Sequence, residues 1–101
     1  MNEPLLVEML ENNLYFRVKA WQCVQKIYYH NNEVSVGNAA KAEYHKRERT
    51  LYLIKLSDLL IHYGIREKEM SLYTHCKGNI RVEDADLLRS AYIINNYQGK
   101  E

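Results

Sequence analysis

Glycine and proline are scarce in this sequence, and both residues interrupt helices. One proline and four glycines occur in 101 residues, which leaves room for a few long elements. Pro4 fits the first turn of a helix, where its missing N–H has no intrahelical partner to lose. Three glycines, Gly64, Gly78 and Gly99, each fall just past a stretch with helical periodicity, and the fourth lies in a loop. This consistency predicts an all-α fold.

Cysteine and long apolar runs are also lacking. Cys23 and Cys76 are too few and too far apart for a disulfide scaffold, and no Cys-x-x-Cys spacing is present for zinc or redox chemistry. The N-terminal segment carries acidic residues where a signal peptide needs basic ones, and no apolar run approaches the roughly 20 residues of a membrane span. We therefore expect a reduced, cytoplasmic protein with no membrane partner.

The third scarcity is net charge, which is only +1. A nearly neutral chain has no global field that collects polyanions, so binding of nucleic acid would need a local basic patch. Apolar residues make up 47% of the chain and charged residues 27%, as in soluble globular proteins. The length predicts a single domain over residues 1–101. Abundant Tyr, Asn, Ile and Lys suggest an AT-rich coding sequence, as in many bacteria, phages and plasmids.

The first part of the chain has apolar residues at every third or fourth position, which is the helical period. It predicts one helix from Pro4 to about His30. The expected buried stripe is Leu6, Leu10, Leu14, Val18, Trp21, Val24 and Tyr28, widened by Met9, Phe16, Ala20, Cys23 and Ile27. Residues 31–38 combine turn formers with β-branched residues and are predicted to form a loop.

The second predicted helix runs from about Ala39 to Tyr63. Asn38 is a suitable N-cap, because its side-chain oxygen can accept a free backbone N–H. Gly64 is placed to adopt the left-handed conformation that ends a helix. The helix is basic and solvated from Lys41 to Arg49 and densely apolar from Leu51 to Tyr63. Paired with the first helix, it gives an antiparallel hairpin.

Two shorter helices complete the prediction. One follows Gly64 and closes at Gly78. The other has acidic residues in its first turn, at Glu83, Asp84 and Asp86, where they complement exposed backbone N–H groups. Its predicted core face is Leu87, Leu88, Ala91, Ile94 and Tyr97. The fold class is therefore all-α, a compact bundle of about four helices, two long and antiparallel and two shorter.

The second helix carries the first candidate site. Its basic run contains Lys41, His45, Lys46, Arg47 and Arg49, and side chains at this density can contact phosphates. Glu43 and Glu48 can pair much of this charge along the helix surface, which favours a plain solvated face. Nine tyrosines are too many to bury fully in a small core, so several lie at the surface. Tyrosine and arginine are enriched in protein interfaces, and the predicted partner-binding residues are Tyr44, Arg47, Arg49, Tyr52 and Lys55.

The surroundings of Gly64 resemble a helix-turn-helix over about 20 residues. Leu59 and Tyr63 precede the glycine, Ile65 follows it, and Met70 and Tyr73 occupy the two later apolar positions. The resemblance implies DNA binding at this turn, and the basic run of the second helix would lie on phosphate. The candidate nucleic-acid residues are then Lys41, Lys46, Arg47, Arg49, Arg66 and Lys68. The sequence departs from the motif at Leu60, where alanine is usual, and two carboxylates, Glu67 and Glu69, lie in the recognition helix that the motif implies.

Catalytic and metal chemistry have little support. Asp58 and His62 share a helix face and precede His75 and Cys76, but no His-x-x-x-His, Glu-x-x-His or paired-cysteine spacing accompanies them. No nucleophile, base and oxyanion group can be assembled, and there is no glycine-rich phosphate loop. We therefore expect no enzyme, no metal and no cofactor. The sequence favours a small regulator or inhibitor that binds another protein, with a DNA-binding regulator as the alternative and a homodimer as a further candidate assembly.

Overall fold

The computed structural model describes residues 1–67 and 85–97. Within these residues the chain forms four helices and no strand, which confirms an all-α bundle. The helices, in chain order, are α1 (Glu3–Asn12), α2 (Leu14–Val36), α3 (Ala39–His62) and α4 (Ala85–Asn96). The helix that the sequence predicts between Gly64 and Gly78 falls mostly outside the described residues, and residues 65–67 are not helical.

The predicted single helix from Pro4 to His30 is wrong, because the chain breaks at Asn13. The backbone of Asn13 is extended (φ −124°, ψ 100°). Its N–H donates to the carbonyl of Met9 at the end of α1, and its side-chain oxygen accepts the backbone N–H of Phe16 at the start of α2. One asparagine therefore caps both helices, using the preference of this residue for helix ends.

The break changes which face of the following helix is buried. The predicted core includes Leu6 and Leu10 of α1 and, on α2, Phe16, Ala20, Val24 and Ile27, and all six are buried. Four residues of the predicted core stripe are instead exposed, namely Leu14, Val18, Trp21 and Tyr28. An extended residue does not advance the chain by the 100° of a helical residue, so the periodicity of α1 does not continue into α2.

The predicted loop over residues 31–38 is also wrong in extent. Helix α2 continues to Val36, and only Gly37 and Asn38 separate it from α3. The side-chain oxygen of Asn38 accepts the N–H of Ala40 at 2.8 Å, which confirms the predicted N-cap. A two-residue connection requires the two long helices to be antiparallel neighbours, and ring contacts at both ends of the hairpin agree with this arrangement.

The core lies between this hairpin and the two shorter helices. Helix α3 contributes Leu53, Leu56 and Leu60, and α4 contributes Leu87, Ala91 and Ile94. The prediction for α4 is wrong at Leu88, which is 48% exposed. At the other end of the bundle, the N–H of Asn2 donates to the carbonyl of Ile65 at 2.8 Å, and Glu3 pairs with Arg89 at 3.4 Å. These contacts attach α1 to the end of α3 and to α4.

Gly64 ends α3 in the left-handed region, with φ +73°, as the sequence predicts. A Cβ atom added there meets no atom within 4 Å, so an alanine would be strained by its backbone alone. We expect Gly64→Ala to lower the free energy of unfolding by about 1–2 kcal/mol, measured by urea denaturation. Gly64→Asn is the control and should lose less, because asparagine tolerates this conformation better. Equal losses in the two variants would contradict a backbone origin.

Candidate functional site

The predicted basic run lies on the first half of α3, and part of its charge is already used within the chain. Lys41, Lys46 and Arg47 are exposed. The Nζ atom of Lys46 lies 3.5 Å from a carboxylate oxygen of Glu43, the pairing that the sequence predicts. Arg49 is half-buried, and its Nη1 donates to the side-chain oxygen of Asn31 on α2 at 2.7 Å. This segment therefore offers Lys41 and Arg47 as exposed cations outside any salt bridge between described residues.

The five predicted partner-binding residues do not form one surface. Tyr44 is exposed, and Tyr52 is half-buried with the ammonium of Lys55 4.8 Å from its ring centroid. Arg47 and Arg49 are two positions apart on a helix and so project about 160° from each other. The structure thus brings Tyr52 and Lys55 together and directs Arg49 towards α2.

The residues predicted for DNA contact are also divided. Arg66 is only 6% exposed and follows the C-terminal end of α3, whereas Lys41, Lys46 and Arg47 lie in solvent in the first half of that helix. Residues 65–67, which would open the recognition helix, are not helical, and Lys68 lies outside the described residues. A continuous basic surface from these residues is not present in the described part of the chain.

Where α2 and α3 meet near Gly37, two buried histidines form a pair that periodicity does not reveal. The Nδ1 atoms of His30 and His45 are 2.9 Å apart. A neutral imidazole has one N–H and one acceptor nitrogen, so one Nδ1 donates and the other accepts. The ring of Tyr52 stacks on His30 with centroids 5.9 Å apart, and Tyr29 and Tyr44 contact the pair edge-on.

The environment of this pair disfavours a positive charge. Burial lowers the pKa of His30 from its usual 6.5, and a charge on His45 lowers it further, while the carboxylate of Glu48 opposes the shift. An open pocket of about 510 Å³ lies beside the pair and is lined by Tyr29, Glu33, Lys41, Tyr44 and His45. The pair itself is a hydrogen-bonded link between the two long helices, since each ring comes from a different one.

The largest departure from the sequence prediction is an apolar surface on α2. We call it the α2 stripe and define it as Leu14, Val18, Trp21 and Tyr28, the residues expected in the core. Leu14 is 64% exposed and Trp21 is 51% exposed. The residues lie along one side of the helix, and the half-buried Gln25 separates Trp21 from Tyr28 on that side.

Helix α4 extends this surface. Gln25 lies between Trp21 and Tyr28 on the same side of α2, and its side-chain amide donates to the side-chain oxygen of Asn95 on α4 at 2.9 Å. Leu88 and Tyr92 share a helix face with Asn95 because they precede it by seven and three residues, and both are exposed. The α2 stripe and this face of α4 are thus held next to each other. The sequence signal was present, since α2 has two apolar faces, but periodicity does not say which one is buried.

The residues that the sequence offers for metal chemistry are divided between the described residues and the rest of the chain. No group of three or more His, Cys, Asp or Glu side chains in the described part could hold a metal ion. Asp58 and His62 are exposed, and His75 and Cys76 lie outside the described residues. Burial raises the pKa of the Cys23 thiol although the charges of Lys55 and Lys19 oppose the shift, and a raised pKa lowers the share of the nucleophilic thiolate.

The protein is therefore an all-α helical bundle with an exposed apolar surface on the long helix α2. No protein-family model matches the chain, and no curated protein or solved structure is significantly similar to it. Among the described helices, none combines the length and the apolar character needed to cross a membrane.

Proposed function

We propose that the protein acts without catalysis, as a small regulator or inhibitor that binds another protein in the cytoplasm through the α2 stripe and the adjoining Leu88 and Tyr92. The observation that supports this most is Trp21, a large indole half-exposed in the middle of an apolar helix face. Monomeric soluble proteins rarely expose apolar patches larger than roughly a few hundred Å², and larger ones often mark binding surfaces. Tryptophan is also the residue type that most often dominates protein interfaces.

The construction of α2 supports the same proposal. The face opposite the stripe is anchored in the core by Phe16, Ala20 and Val24, so the backbone that carries the stripe is already ordered. A rigid binding surface loses less conformational entropy when a partner docks than a flexible one does. The α3 residues Tyr44, Arg47 and Lys55 provide a second exposed surface of a composition found in interfaces, and they are the competing location for the partner.

The proposal is tested by isolating a partner with the wild-type protein and comparing its affinity for variants. We expect Trp21→Ala to weaken binding by at least about 2 kcal/mol, or roughly thirtyfold in Kd, measured by calorimetry. Stability should change little, because Trp21 lies outside the core. The matched control is Tyr44→Ala, which removes an equally exposed aromatic ring from α3. Loss of binding in the control and retention in Trp21→Ala would move the interface to α3 and overturn the proposal.

DNA binding through Lys41 and Arg47 is less well supported, because Arg49 is bound to Asn31 and Arg66 is buried. Its signature would be an affinity for duplex DNA that falls steeply with salt and a smaller salt slope in Arg47→Ala.

A further inference from the structure

Two charges flank the connection between α2 and α3, and each lies at the helix end that disfavours it. Glu33 is in the last turn of α2, and Lys41 is in the first turn of α3. A helix carries partial negative charge at its C-terminus and partial positive charge at its N-terminus, so each side chain has the same sign as its own helix end. Neither forms a salt bridge with another residue of ranges 1–67 and 85–97. The stability of the two helices therefore gives no reason for these charges.

Both charges line the pocket of about 510 Å³ beside the histidine pair. Small-molecule sites in proteins have volumes of roughly 300–1,000 Å³, so the pocket is large enough for a small ligand. Glu33 gives it a negative group from the end of α2, and Lys41 gives it a positive group from the start of α3. The partial charges of the two helix ends reinforce both groups.

The ring of His45 is the third polar group of the pocket, and it is only 8% exposed. Its Nδ1 atom is bonded to Nδ1 of His30. Its Nε2 atom has no hydrogen-bond partner among the described residues and is not enclosed by protein. When Nδ1 of His45 accepts the hydrogen of His30, Nε2 carries the ring proton and is a donor. The pocket therefore contains a hydrogen-bonding nitrogen that is held in place by an otherwise buried ring.

The rings of Tyr29 and Tyr44 complete the lining. Both contact the ring of His45 edge-on, with centroids 6.1 Å and 5.0 Å away, and both remain about half exposed. The face of a tyrosine ring attracts a cation. The carboxylate of Glu33 and these two rings are therefore a suitable environment for an ammonium group.

We infer that this pocket binds a small zwitterion, a molecule with an ammonium group and a carboxylate, such as a free amino acid. The ammonium would lie against Glu33 and the tyrosine rings, and the carboxylate would lie against Lys41 and Nε2 of His45. This site is separate from the α2 stripe, and the inference does not depend on the proposed function.

Ligands with a single charge fit the pocket less well. A simple anion would contact Lys41 but meet the like charge of Glu33, and a simple cation would meet the like charge of Lys41. Like charges brought together lower affinity. A metal ion is disfavoured because no group of three or more His, Cys, Asp or Glu side chains within 1–67 and 85–97 could hold one. A zwitterion uses both charges of the pocket.

The experiment titrates the full-length protein with ω-amino acids of increasing length, from glycine to 6-aminohexanoate. Each is compared with the amine and the carboxylic acid of the same chain length, and binding is followed by the histidine ring signals in NMR spectra. We expect the best-fitting amino acid to bind at least about tenfold more tightly than its matched amine or acid. It should also shift the Nε2 signal of His45.

Two neutral variants assign the two ends of the ligand. Glu33→Gln should bind the amino acid no more tightly than the matched acid, and Lys41→Gln should bind it no more tightly than the matched amine. The matched controls are Glu43→Gln and Lys46→Gln, which remove a salt-bridged pair on α3 outside the pocket lining. Both controls should keep the wild-type preference, and an equal loss in the controls would overturn the inference.

Thermal denaturation separates a binding role from a role in the fold. Neutralising Glu33 or Lys41 removes a charge that opposes a helix dipole, so each variant should unfold at the wild-type temperature or above it. A lower unfolding temperature would assign the charge to the fold and overturn the inference. Binding of no amino acid, or equally tight binding of a matched amine or acid, would overturn it as well. None of these results bears on the α2 stripe, which Trp21→Ala tests.

Discussion

Replacing Phe16 by alanine is expected to lower the free energy of unfolding by about 3–5 kcal/mol. The side chain is fully buried, and its ring meets the ring of Tyr63 edge-on with centroids 5.0 Å apart. Truncation removes the apolar surface that it buries, leaves a cavity between α2 and α3, and loses this aromatic contact. A loss of this size is a large part of the roughly 5–15 kcal/mol that stabilises an average domain. Urea denaturation measures this loss of unfolding free energy, and we expect the m-value to stay constant.

Leu14→Ala is the matched control for that experiment. Leu14 is two residues from Phe16 in the same helix, but its side chain is mostly in solvent, so we expect its loss to stay within about 0.5 kcal/mol. An unbroken helix from Pro4 would reverse this order, since it places Leu14 on the core face. A greater loss of stability at Leu14 than at Phe16 would therefore contradict the break at Asn13 and the burial of the Phe16 side of α2.

Acidification below about pH 6.5 is expected to destabilise the protein through the buried histidine pair. The pKa of His30 is lower in the folded protein than its usual 6.5, so the unfolded chain takes up this proton first. The contribution of His30 to stability is therefore fully present above the unfolded pKa and is lost as the pH falls from there towards the folded pKa. When both rings are protonated, neither Nδ1 can accept the other's hydrogen, and the 2.9 Å link between α2 and α3 is lost.

The histidine contribution can be separated by denaturation between pH 7.5 and 5.5, a window above the usual pKa values of carboxyl groups. At pH 7.5 His30→Leu and His45→Leu should each lose about 1–3 kcal/mol, because each leaves one buried nitrogen without its hydrogen-bond partner. The loss of unfolding free energy in the double variant should be smaller than the sum of the two single losses, which is the sign of a direct interaction. The stability of the double variant should also depend much less on pH. A double variant as sensitive to this window as the wild type would rule out the pair as its source.

Helix α3 was predictable because its signals are local. Asn38 supplies a side-chain oxygen at the first turn, Gly64 supplies a residue free to adopt φ +73°, and no breaker lies between them. The second half of α3 is apolar on most sides, so the sequence predicts a buried segment. That Leu53, Leu56 and Leu60 form its buried side depends on packing with the other helices.

The first long element was not predictable in the same way, because α2 has two apolar faces. One contains Leu14, Val18 and Trp21, and the other contains Phe16, Ala20 and Val24. Both belong to the broad core stripe that the sequence predicts, and only the second is buried. Asn13, a strong N-cap residue within the apolar pattern, favours a break in the helix at this position. Whether the helix breaks there depends on the free energy gained by burying each face of α2. That free energy is set by packing between segments that are distant in the sequence.

The candidate site was partly predictable for the same reason. The exposure of Tyr44, Arg47 and Lys55 follows from the period of α3. The Arg49–Asn31 hydrogen bond and the His30–His45 pair depend on the register between two helices, which is set by the two-residue connection at Gly37 and Asn38. A predicted eight-residue loop left that register undefined.

The shared cap at Asn13 constrains the length of the chain. Only Asn13 separates α1 from α2, so a residue added to or removed from the last turn of α1 would turn the rest of that helix by about 100° relative to the cap and shift it by about 1.5 Å. Leu6 and Leu10 would then leave their places in the core. Connections between helices usually tolerate insertions and deletions, but this one is as intolerant of them as the middle of a helix.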